Sequence, residues 1–253
     1  MGRAKGGQDG IDLVAWKARM ARSGDAPLKG DALPERLAEI LPKDTAEAWR
    51  ALRDVLPEGF YLIGGTAVAV HLGHRESRDL DFFAHERAID LDALAKELEA
   101  LPGFALESRS AGTLEGVLGE TKVELFIDID EERPQRALEG PELVAGLHVA
   151  SLRDLAAMKV KVIGDRGEMR DYYDLKLIEE EGGVSVEEGL SLYMQRYRAD
   201  PHGPALGHTV RALGYLDDVE EDESLPITKE ELAAWWRKRQ AALIPRLDRR
   251  SKP

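Results

Sequence analysis

FYLIGGTAVAVHLGHRESRDLDFF, residues 60–83, carries the strongest structural signals in this chain. Aromatic and β-branched residues at 60–63 predict a short strand, which Gly64 and Gly65 stop. Residues 66–72 then predict a short helix that ends at Gly73. Charged and apolar residues alternate over 78–83, which is typical of a half-buried strand. The stretch therefore predicts a strand, a glycine turn, a helix and a second strand.

The glycine turn is a candidate phosphate-binding site. A turn that leads into a helix presents backbone N–H groups and the positive end of the helix dipole at one point, where phosphate oxygens are favoured. Two glycines before a helix are more often only a tight turn, so the signal is weak when it stands alone. We take Gly64, Gly65 and the adjoining Thr66 as the candidate phosphate-binding residues.

Two aspartates follow the turn and suggest a metal. Asp79 and Asp81 lie two residues apart on the second predicted strand, so their carboxylates project from one face, roughly 7 Å apart. Facing carboxylates repel unless a cation separates them, and a hard cation such as Mg²⁺ (or Mn²⁺) suits them. A lone Asp-x-Asp pair is commonly a solvated strand face. Here the flanking Leu80, Phe82 and Phe83 indicate that the strand is packed.

A hairpin is predicted over residues 113–127, with its turn at Gly119-Glu120. On its second strand, residues 121–127, one face is apolar. The other face carries Glu124 and, if the strand continues, Asp128.

The chain divides into an α/β part and a helical part. We place a tail or appended helix at 1–31, an α/β domain at 32–150 and a helical domain at 151–253. Ser151 and Asp154 resemble a capping box at the start of the helical part. Further helices are predicted at 46–55, 89–101, 168–181, 186–198 and 204–216, with a last helix containing Trp235 and Trp236.

Composition excludes several classes of protein. The 253 residues are 43% hydrophobic, so the chain should fold, and 48 acidic against 35 basic residues give a net charge of −13. This charge disfavours indiscriminate binding to nucleic-acid backbones. The absence of cysteine excludes disulfides, thiolate metal sites and a cysteine nucleophile. We see neither an apolar run long enough to span a membrane nor an export signal, so we expect a cytoplasmic protein.

The motifs together resemble a known superfamily. Gly64-Gly65, a thirteen-residue spacer and Asp79-Leu80-Asp81-Phe82 resemble the opening motif of the DNA polymerase β-like nucleotidyltransferases. The longer string GGTAVAVHLGHRESRDLDFF is similar, more narrowly, to the AbiEii family. These nucleotidyltransferases are toxins of bacterial abortive-infection and toxin–antitoxin systems, and they include the MenT toxins.

The resemblance implies a fold and a first set of site residues. It implies an α/β (α+β) nucleotidyltransferase fold, with a mixed sheet flanked by helices and a helical C-terminal domain. Asp79 and Asp81 match the metal pair, and Ser77 matches the family's serine just ahead of it. Glu124 matches the third acid, which would help hold metal or take the acceptor's proton. Asp128 shares the predicted face and remains an alternative.

Two arguments point to a lysine of the helical part as a site residue. With 100° per residue, Lys159 lies near the centre of the apolar face of its helix, whereas Lys161 lies on the opposite face. A lysine on a buried face is costly unless it meets an anion or reaches past the core. The family match over LRDLAAMKVKVIGDRGEMRDYYDL, residues 152–175, favours Lys159 as a phosphate contact. The same match implies Asp174 as the helical aspartate, with Asp171 as a competitor.

Other side chains have two interpretations each. Arg166 and Arg170 are either triphosphate contacts or, as we favour, surface charges. His74 and Arg75 either touch a substrate or simply lie in a loop. Trp235-Trp236 and the basic residues after them suit RNA stacking, but a tryptophan pair more often packs in a core.

Three functional hypotheses follow. The first is metal-dependent transfer of a nucleoside monophosphate from an NTP to an acceptor hydroxyl, with release of pyrophosphate. By resemblance, the acceptor would be the 3′ end of tRNA and the protein a toxin with a cognate antitoxin. The second keeps the chemistry but uses a small-molecule acceptor of the aminoglycoside type. The third is an inactive module that binds a nucleotide or a partner.

Overall fold

The computed structural model describes residues 33–85, 89–130, 135, 137–201 and 203–250. The predicted tail or appended helix at 1–31 lies outside the described residues. The described strands are β1 (Phe60–Ile63), β2 (Leu80–Ala84), β3 (Phe104–Arg109), β4 (Thr113–Leu118), β5 (Thr121–Ile127), β6 (Glu142–Val144) and β7 (Leu147–Val149). The described helices are α1 (Glu35–Ile40), α2 (Lys43–Arg53), α3 (Gly64–Leu72), α4 (Leu91–Glu99), α5 (Leu152–Asp165), α6 (Met169–Glu180), α7 (Val186–Tyr197), α8 (Pro204–Leu213) and α9 (Lys229–Arg250).

The strands form one mixed sheet in the order β3-β4-β5-β2-β1-β7-β6. β2 runs parallel to β5 and β1 parallel to β7, and the other neighbouring strands are antiparallel. The predicted fold class, a mixed sheet flanked by helices with a helical region after it, is confirmed.

The register of the central strands positions the functional residues. Ile63, at the end of β1, pairs with Asp81 on β2, and Asp81 pairs with Glu124 on β5. Because side chains directly opposite in register point to the same face, Asp81 and Glu124 are neighbours. Leu80 and Leu125 point to the other face and are fully buried. The sheet therefore holds two acids side by side, next to the glycine turn that follows Ile63.

A buried arginine joins the helical part to the sheet. Ser151 caps α5 as predicted, with its Oγ accepting from the Asp154 backbone N–H at 3.1 Å. The Asp154 carboxylate accepts from the fully buried Arg196 of α7 and from the backbone N–H of Leu138 at 2.9 Å. Arg196 Nη2 also donates to the Tyr61 hydroxyl of β1 at 3.1 Å. One arginine thus connects α5, α7 and the sheet.

Several predicted boundaries were wrong. The helix expected from residue 46 begins at Lys43, and Thr45 lies inside α2, where its hydroxyl donates to the Arg78 carbonyl at 3.2 Å. Lys43 follows Pro42, whose fixed φ favours a helix start, so the helix begins there without a side-chain cap. The helix expected from residue 66 begins at Gly64. The helix expected over 204–216 ends at Leu213, before Gly214.

Trp236 packs inside the protein and Trp235 lies at the edge of the core. Trp236 is fully buried, and its indole N–H donates to the Tyr172 carbonyl at 3.2 Å. Trp235 is partly buried, and its indole donates to Glu180 at 2.8 Å. The burial of Trp236 agrees with the favoured interpretation of this pair as core packing. Across the ranges described above, no helix is both long and apolar enough to cross a membrane.

Candidate active site

A cavity of about 1990 Å³ opens between the sheet and the helical part. It brings together residues that lie far apart in the sequence, from Glu39 to Glu231. The predicted site residues that line it are Gly64, Gly65, Thr66, Ser77, Asp79, Asp81, Glu124 and Lys159. Asp174, which was also predicted, lies behind the wall of the cavity and is fully buried.

The glycine turn packs directly against one acid. Gly64 has φ +71°, and a Cβ built on it would lie 2.3 Å from Asp81 Oδ2. A Cβ on Gly65 would lie 2.2 Å from Arg75 Nη2. Gly64 therefore needs glycine, because its φ is positive and the Asp81 carboxylate leaves no room for a Cβ, whereas a side chain at Gly65 would require the Arg75 guanidinium to move. No side chain caps α3, whose first turn begins at these glycines.

Thr66 and Ser77 tie α3 to the loop before β2. The Thr66 hydroxyl lies 2.7 Å from Ser77 Oγ and also contacts the Asp79 carbonyl. The Ser77 backbone N–H donates to the Ile40 carbonyl at 3.0 Å. These bonds fix the backbone that carries Asp79 beside the glycine turn. A direct contact of either hydroxyl with phosphate stays a prediction.

Asp81 and Glu124 are two neighbouring carboxylates, and the pKa of Asp81 reflects this. Burial, followed by the nearby carboxylates of Glu124 and Asp79, raises the pKa of Asp81 to about 7. Lys122 donates to the Glu124 carboxylate from the same face of β5. The acids therefore lack sufficient counter-charge within the protein.

Asp79 comes just before β2 rather than within it, which corrects the predicted start of that strand at residue 78. Its side chain is about half exposed (47%), and its Oδ2 lies 3.9 Å from Arg170 Nη1. In the described part of the chain, no three His, Asp or Glu side chains are already gathered as a ligand set. The donor chemistry nevertheless fits a hard cation, because Asp79, Asp81 and Glu124 offer carboxylate oxygens at a point of surplus negative charge.

The geometry favours Glu124 over Asp128 as the third acid. Asp128 follows the end of β5, and its two carboxylate oxygens accept from the backbone N–H groups of Asp130 at 3.2 Å and Gln135 at 2.6 Å. Asp128 therefore holds a loop, whereas Glu124 lies beside Asp81.

Lys159 reaches the cavity from α5 and is held there by two acids. Its side chain is 8% exposed, and its Nζ lies 2.7 Å from Asp171 Oδ1 and 2.8 Å from Asp174 Oδ2. Burial alone would lower the pKa of Lys159, but the two carboxylates raise it above its ordinary value. The lysine is therefore charged and points into the cavity, as helix phase predicts. Lys161 is 40% exposed and pairs with Asp165.

Asp174 organises the cations behind the site. Besides Lys159, it accepts hydrogen bonds from His74 Nε2 at 2.8 Å and from Arg75, whose Nε and Nη2 lie 2.8 and 3.0 Å away. Burial would raise the pKa of Asp174, but Lys159 and Arg75 hold it well below its ordinary value. Asp174 is a positioning residue, because it touches the groups that face the cavity but not the cavity itself. Asp171 does line the cavity.

The structure places Arg75 and Arg170 at the cavity, which their positions in the sequence did not indicate. Arg75 packs against Gly65 and lines the cavity. Arg170 also lines it, together with Arg166, although Arg170 Nη2 pairs with Glu168 at 2.6 Å. Cationic side chains therefore lie near the glycine turn and on the helical wall, across the cavity from the carboxylates of the sheet.

Comparison with known proteins identifies the family of this chain. The family model described as "Nucleotidyl transferase AbiEii toxin, Type IV TA system" matches residues 47–250. An uncharacterised protein of Aquifex aeolicus (strain VF5), aq_aa25, is 30% identical over 180 residues, which are 70% of this chain and 81% of that protein.

Two solved structures are similar over most of the chain. JHP933 from Helicobacter pylori has a TM-score of 0.48 and 18% identity, covering 87% of this chain and 97% of that one. MenT4, the nucleotidyltransferase toxin Rv2826c from Mycobacterium tuberculosis H37Rv, has a TM-score of 0.48 and 18% identity, covering 82% and 85%. The family match extends from α2 to the end of α9 and includes every residue of the site. The chain therefore belongs to the AbiEii family of toxins from type IV toxin–antitoxin systems, and it is a nucleotidyltransferase.

Proposed function

We propose that this protein uses a divalent metal, Mg²⁺ or Mn²⁺, to transfer a nucleoside monophosphate from an NTP to the 3′ end of tRNA. The observation that carries the proposal is the contact of the Gly64 turn with Asp81, which lies beside Glu124 and faces the cation of Lys159. Membership of a toxin–antitoxin family supports a cognate antitoxin protein as partner.

The NTP binds across the cavity. Its triphosphate lies at the glycine turn and the first turn of α3, where backbone N–H groups and the helix dipole favour anions. Lys159 and Arg170 face this point from the helical part and neutralise the leaving phosphates. Asp174 keeps Lys159 oriented, because it holds the ammonium group from behind.

Asp79, Asp81 and Glu124 are the residues that would hold the metal. A bound divalent cation supplies charge stabilisation to the phosphoryl group being transferred. Its charge would also offset the burial and the neighbouring carboxylates that raise the pKa of Asp81.

The transfer is a substitution at the α-phosphorus of the NTP. The acceptor's hydroxyl oxygen forms a bond to the α-phosphorus, and the bond from that phosphorus to the oxygen bridging to the β-phosphate breaks. Pyrophosphate leaves toward the glycine turn and Lys159. The hydroxyl proton passes to a carboxylate oxygen of Glu124, so that charge and atoms balance.

The size of the cavity supports a second, large substrate. Its volume of about 1990 Å³ exceeds the roughly 300–1,000 Å³ that is usual for a site holding one small ligand. An NTP therefore leaves space for the end of an acceptor such as tRNA.

The test is incubation with Mg²⁺, total tRNA and each α-³²P-labelled NTP in turn, followed by a denaturing gel. Asp79→Asn is the informative variant, since its side chain is about half exposed (47%) and its loss should not disturb folding. Asp54→Asn is the matched control, because Asp54 is 74% exposed and outside the cavity. We expect wild type and Asp54→Asn to label tRNA, and Asp79→Asn to lose the label at least a hundredfold.

Parallel reactions contain an aminoglycoside panel in place of tRNA. Label on the aminoglycosides alone would replace tRNA by a small-molecule acceptor. Equal labelling of tRNA by wild type and Asp79→Asn would refute the assignment of the site.

A further inference from the structure

Three alternate residues of β5 face the cavity in a row. Lys122, Glu124 and Phe126 all line it, and alternate residues on a strand lie roughly 7 Å apart on one face. The row offers a cation, a carboxylate and an aromatic ring, in that order. Only the carboxylate has a role in the proposed transfer.

Lys122 is accessible at one end of the row. Its side chain is 49% exposed, and its ammonium group is paired with Glu124. When Glu124 engages the metal or the hydroxyl proton, this lysine is free to meet another anion in the cavity. Its position next to the third acid, and away from the glycine turn, separates it from the cations that face the triphosphate.

Phe126 provides an apolar surface at the other end of the row. Its neighbours in register are Phe83 on β2 and Thr113 on β4, and it is only partly buried. Ile129 also lines the cavity and is 58% exposed, with its side chain beside Gly112. An exposed isoleucine and an accessible phenylalanine on a cavity wall suit a flat apolar group such as a nucleobase.

The direction of the reaction assigns this row to the acceptor. The glycine turn, Asp81 and Glu124 follow one another across β1, β2 and β5. Pyrophosphate leaves toward the glycine turn, and in an in-line displacement the attacking oxygen enters from the opposite side. That side is the side of β5, where Lys122 and Phe126 lie.

We propose that Lys122, Glu124 and Phe126 together bind the 3′-terminal nucleotide of the acceptor RNA. Lys122 pairs with the phosphodiester that precedes the terminal nucleoside, Glu124 meets the reacting hydroxyl, and Phe126 stacks on the base. The distances between the phosphate, the hydroxyl and the base of a nucleotide are comparable to the distances between these three side chains. The inference rests on the proposed function and adds the residues that recognise the acceptor.

The test uses RNA hairpins that carry the tRNA 3′ end, in three forms. One is unmodified, one has a neutral methylphosphonate at the last linkage, and one has an abasic terminal nucleotide. Lys122→Gln and Phe126→Leu are compared with wild type and with Lys43→Gln, whose lysine is 88% exposed and outside the cavity. Thermal unfolding of every variant is recorded to show that each is folded.

For Lys122→Gln we expect the KM for unmodified RNA to rise about fivefold to tenfold. The slope of log KM against log salt should fall by about 0.7, as for one lost phosphate contact on a single strand. For Phe126→Leu we expect a rise of about fivefold or more. The KM for NTP should change less than twofold in both variants, and Lys43→Gln should match wild type.

The modified RNAs decide whether each contact is direct. If Lys122 contacts the last phosphodiester, the methylphosphonate RNA should have the same KM with Lys122→Gln as with wild type. If Phe126 stacks on the terminal base, the abasic RNA should have the same KM with Phe126→Leu as with wild type. The inference would be overturned if the substitution and the RNA modification each raised the KM and their effects multiplied. It would also be overturned if the variants had the KM and the salt slope of wild type. If wild type labels no RNA at all, the proposed tRNA acceptor fails and this inference fails with it.

Discussion

Asp81→Asn should stabilise the metal-free protein, although it removes a residue of the site. In the folded protein, burial, Glu124 and Asp79 raise the pKa of Asp81 from its ordinary value of 3.8 to about 7. Between these two values the unfolded chain ionises before the folded one does. The folded protein therefore loses stability as pH rises from about 4 to about 7, and the loss levels off above pH 7.

The size of the effect follows from the same two values. At 1.36 kcal/mol for each pH unit, the difference between 3.8 and about 7 sets an upper limit of about 4 kcal/mol at pH 8. At pH 5, where only part of that interval has been crossed, the limit is less than half as large. Asparagine has nearly the same shape and carries no charge, so Asp81→Asn should recover about 2–4 kcal/mol at pH 8 and much less at pH 5.

Urea unfolding in EDTA at pH 5, 6, 7 and 8 measures this difference directly. The control is Asp54→Asn, whose carboxylate is 74% exposed and should show no pH-dependent gain. Adding Mg²⁺ should raise the midpoint of wild type but not of Asp81→Asn, because a ligand stabilises only the state that binds it. A variant no more stable than wild type at pH 8, or an equal gain at pH 5 and pH 8, would refute the reasoning.

Two further substitutions test the support of the site. Asp174→Asn should cost about 3 kcal/mol or more in urea unfolding at pH 7, because it leaves the buried Lys159 and Arg75 short of their counter-charge. Since the pKa of Asp174 is lowered by folding, this stabilisation persists above pH 4 and disappears only at lower pH. An effect as small as that of Asp165→Asn, a 60% exposed aspartate, would contradict the prediction. Gly65→Ala should cost about 1–3 kcal/mol and weaken NTP binding in a calorimeter, since its Cβ would meet Arg75 at 2.2 Å. Gly140→Ala is the control, because open space surrounds that position, and equal behaviour of the two alanine variants would be the contrary result.

Local patterns predicted the part of the fold that carries Asp79 and Asp81. β1, α3 and β2 follow from aromatic and β-branched residues, two glycines and a period-two alternation, all within residues 60–83. The cavity-facing side of β5 follows from the same period, because Glu124 and the buried Leu125 are neighbours on the strand and point to opposite faces. Helix phase placed Lys159 correctly, because a lysine at the centre of an apolar stripe has few ways to keep its charge.

Features that depend on distant contacts were not predictable. The bonds of Asp174 to His74 and Arg75 span 100 and 99 positions, and no spacing in the sequence reports them. β6 and β7 have three residues each, too short for any periodicity to be visible. The choice between Glu124 and Asp128 depends on strand register, which is set by the partner strand and not by β5 itself.

The buried ion pair between Arg75, next to the glycine turn, and Asp174 of α6 limits how this enzyme handles its substrates. Swinging the helices away from the sheet would separate these two buried charges and break the hydrogen bond from Arg196 to Tyr61, at a cost of several kcal/mol. A clamshell motion about the cavity is therefore too expensive to occur in every turnover. NTP and acceptor must enter, and pyrophosphate must leave, through a mouth that is open from the outset. Any inhibitor of this enzyme need only plug that mouth and does not have to trap a closed form.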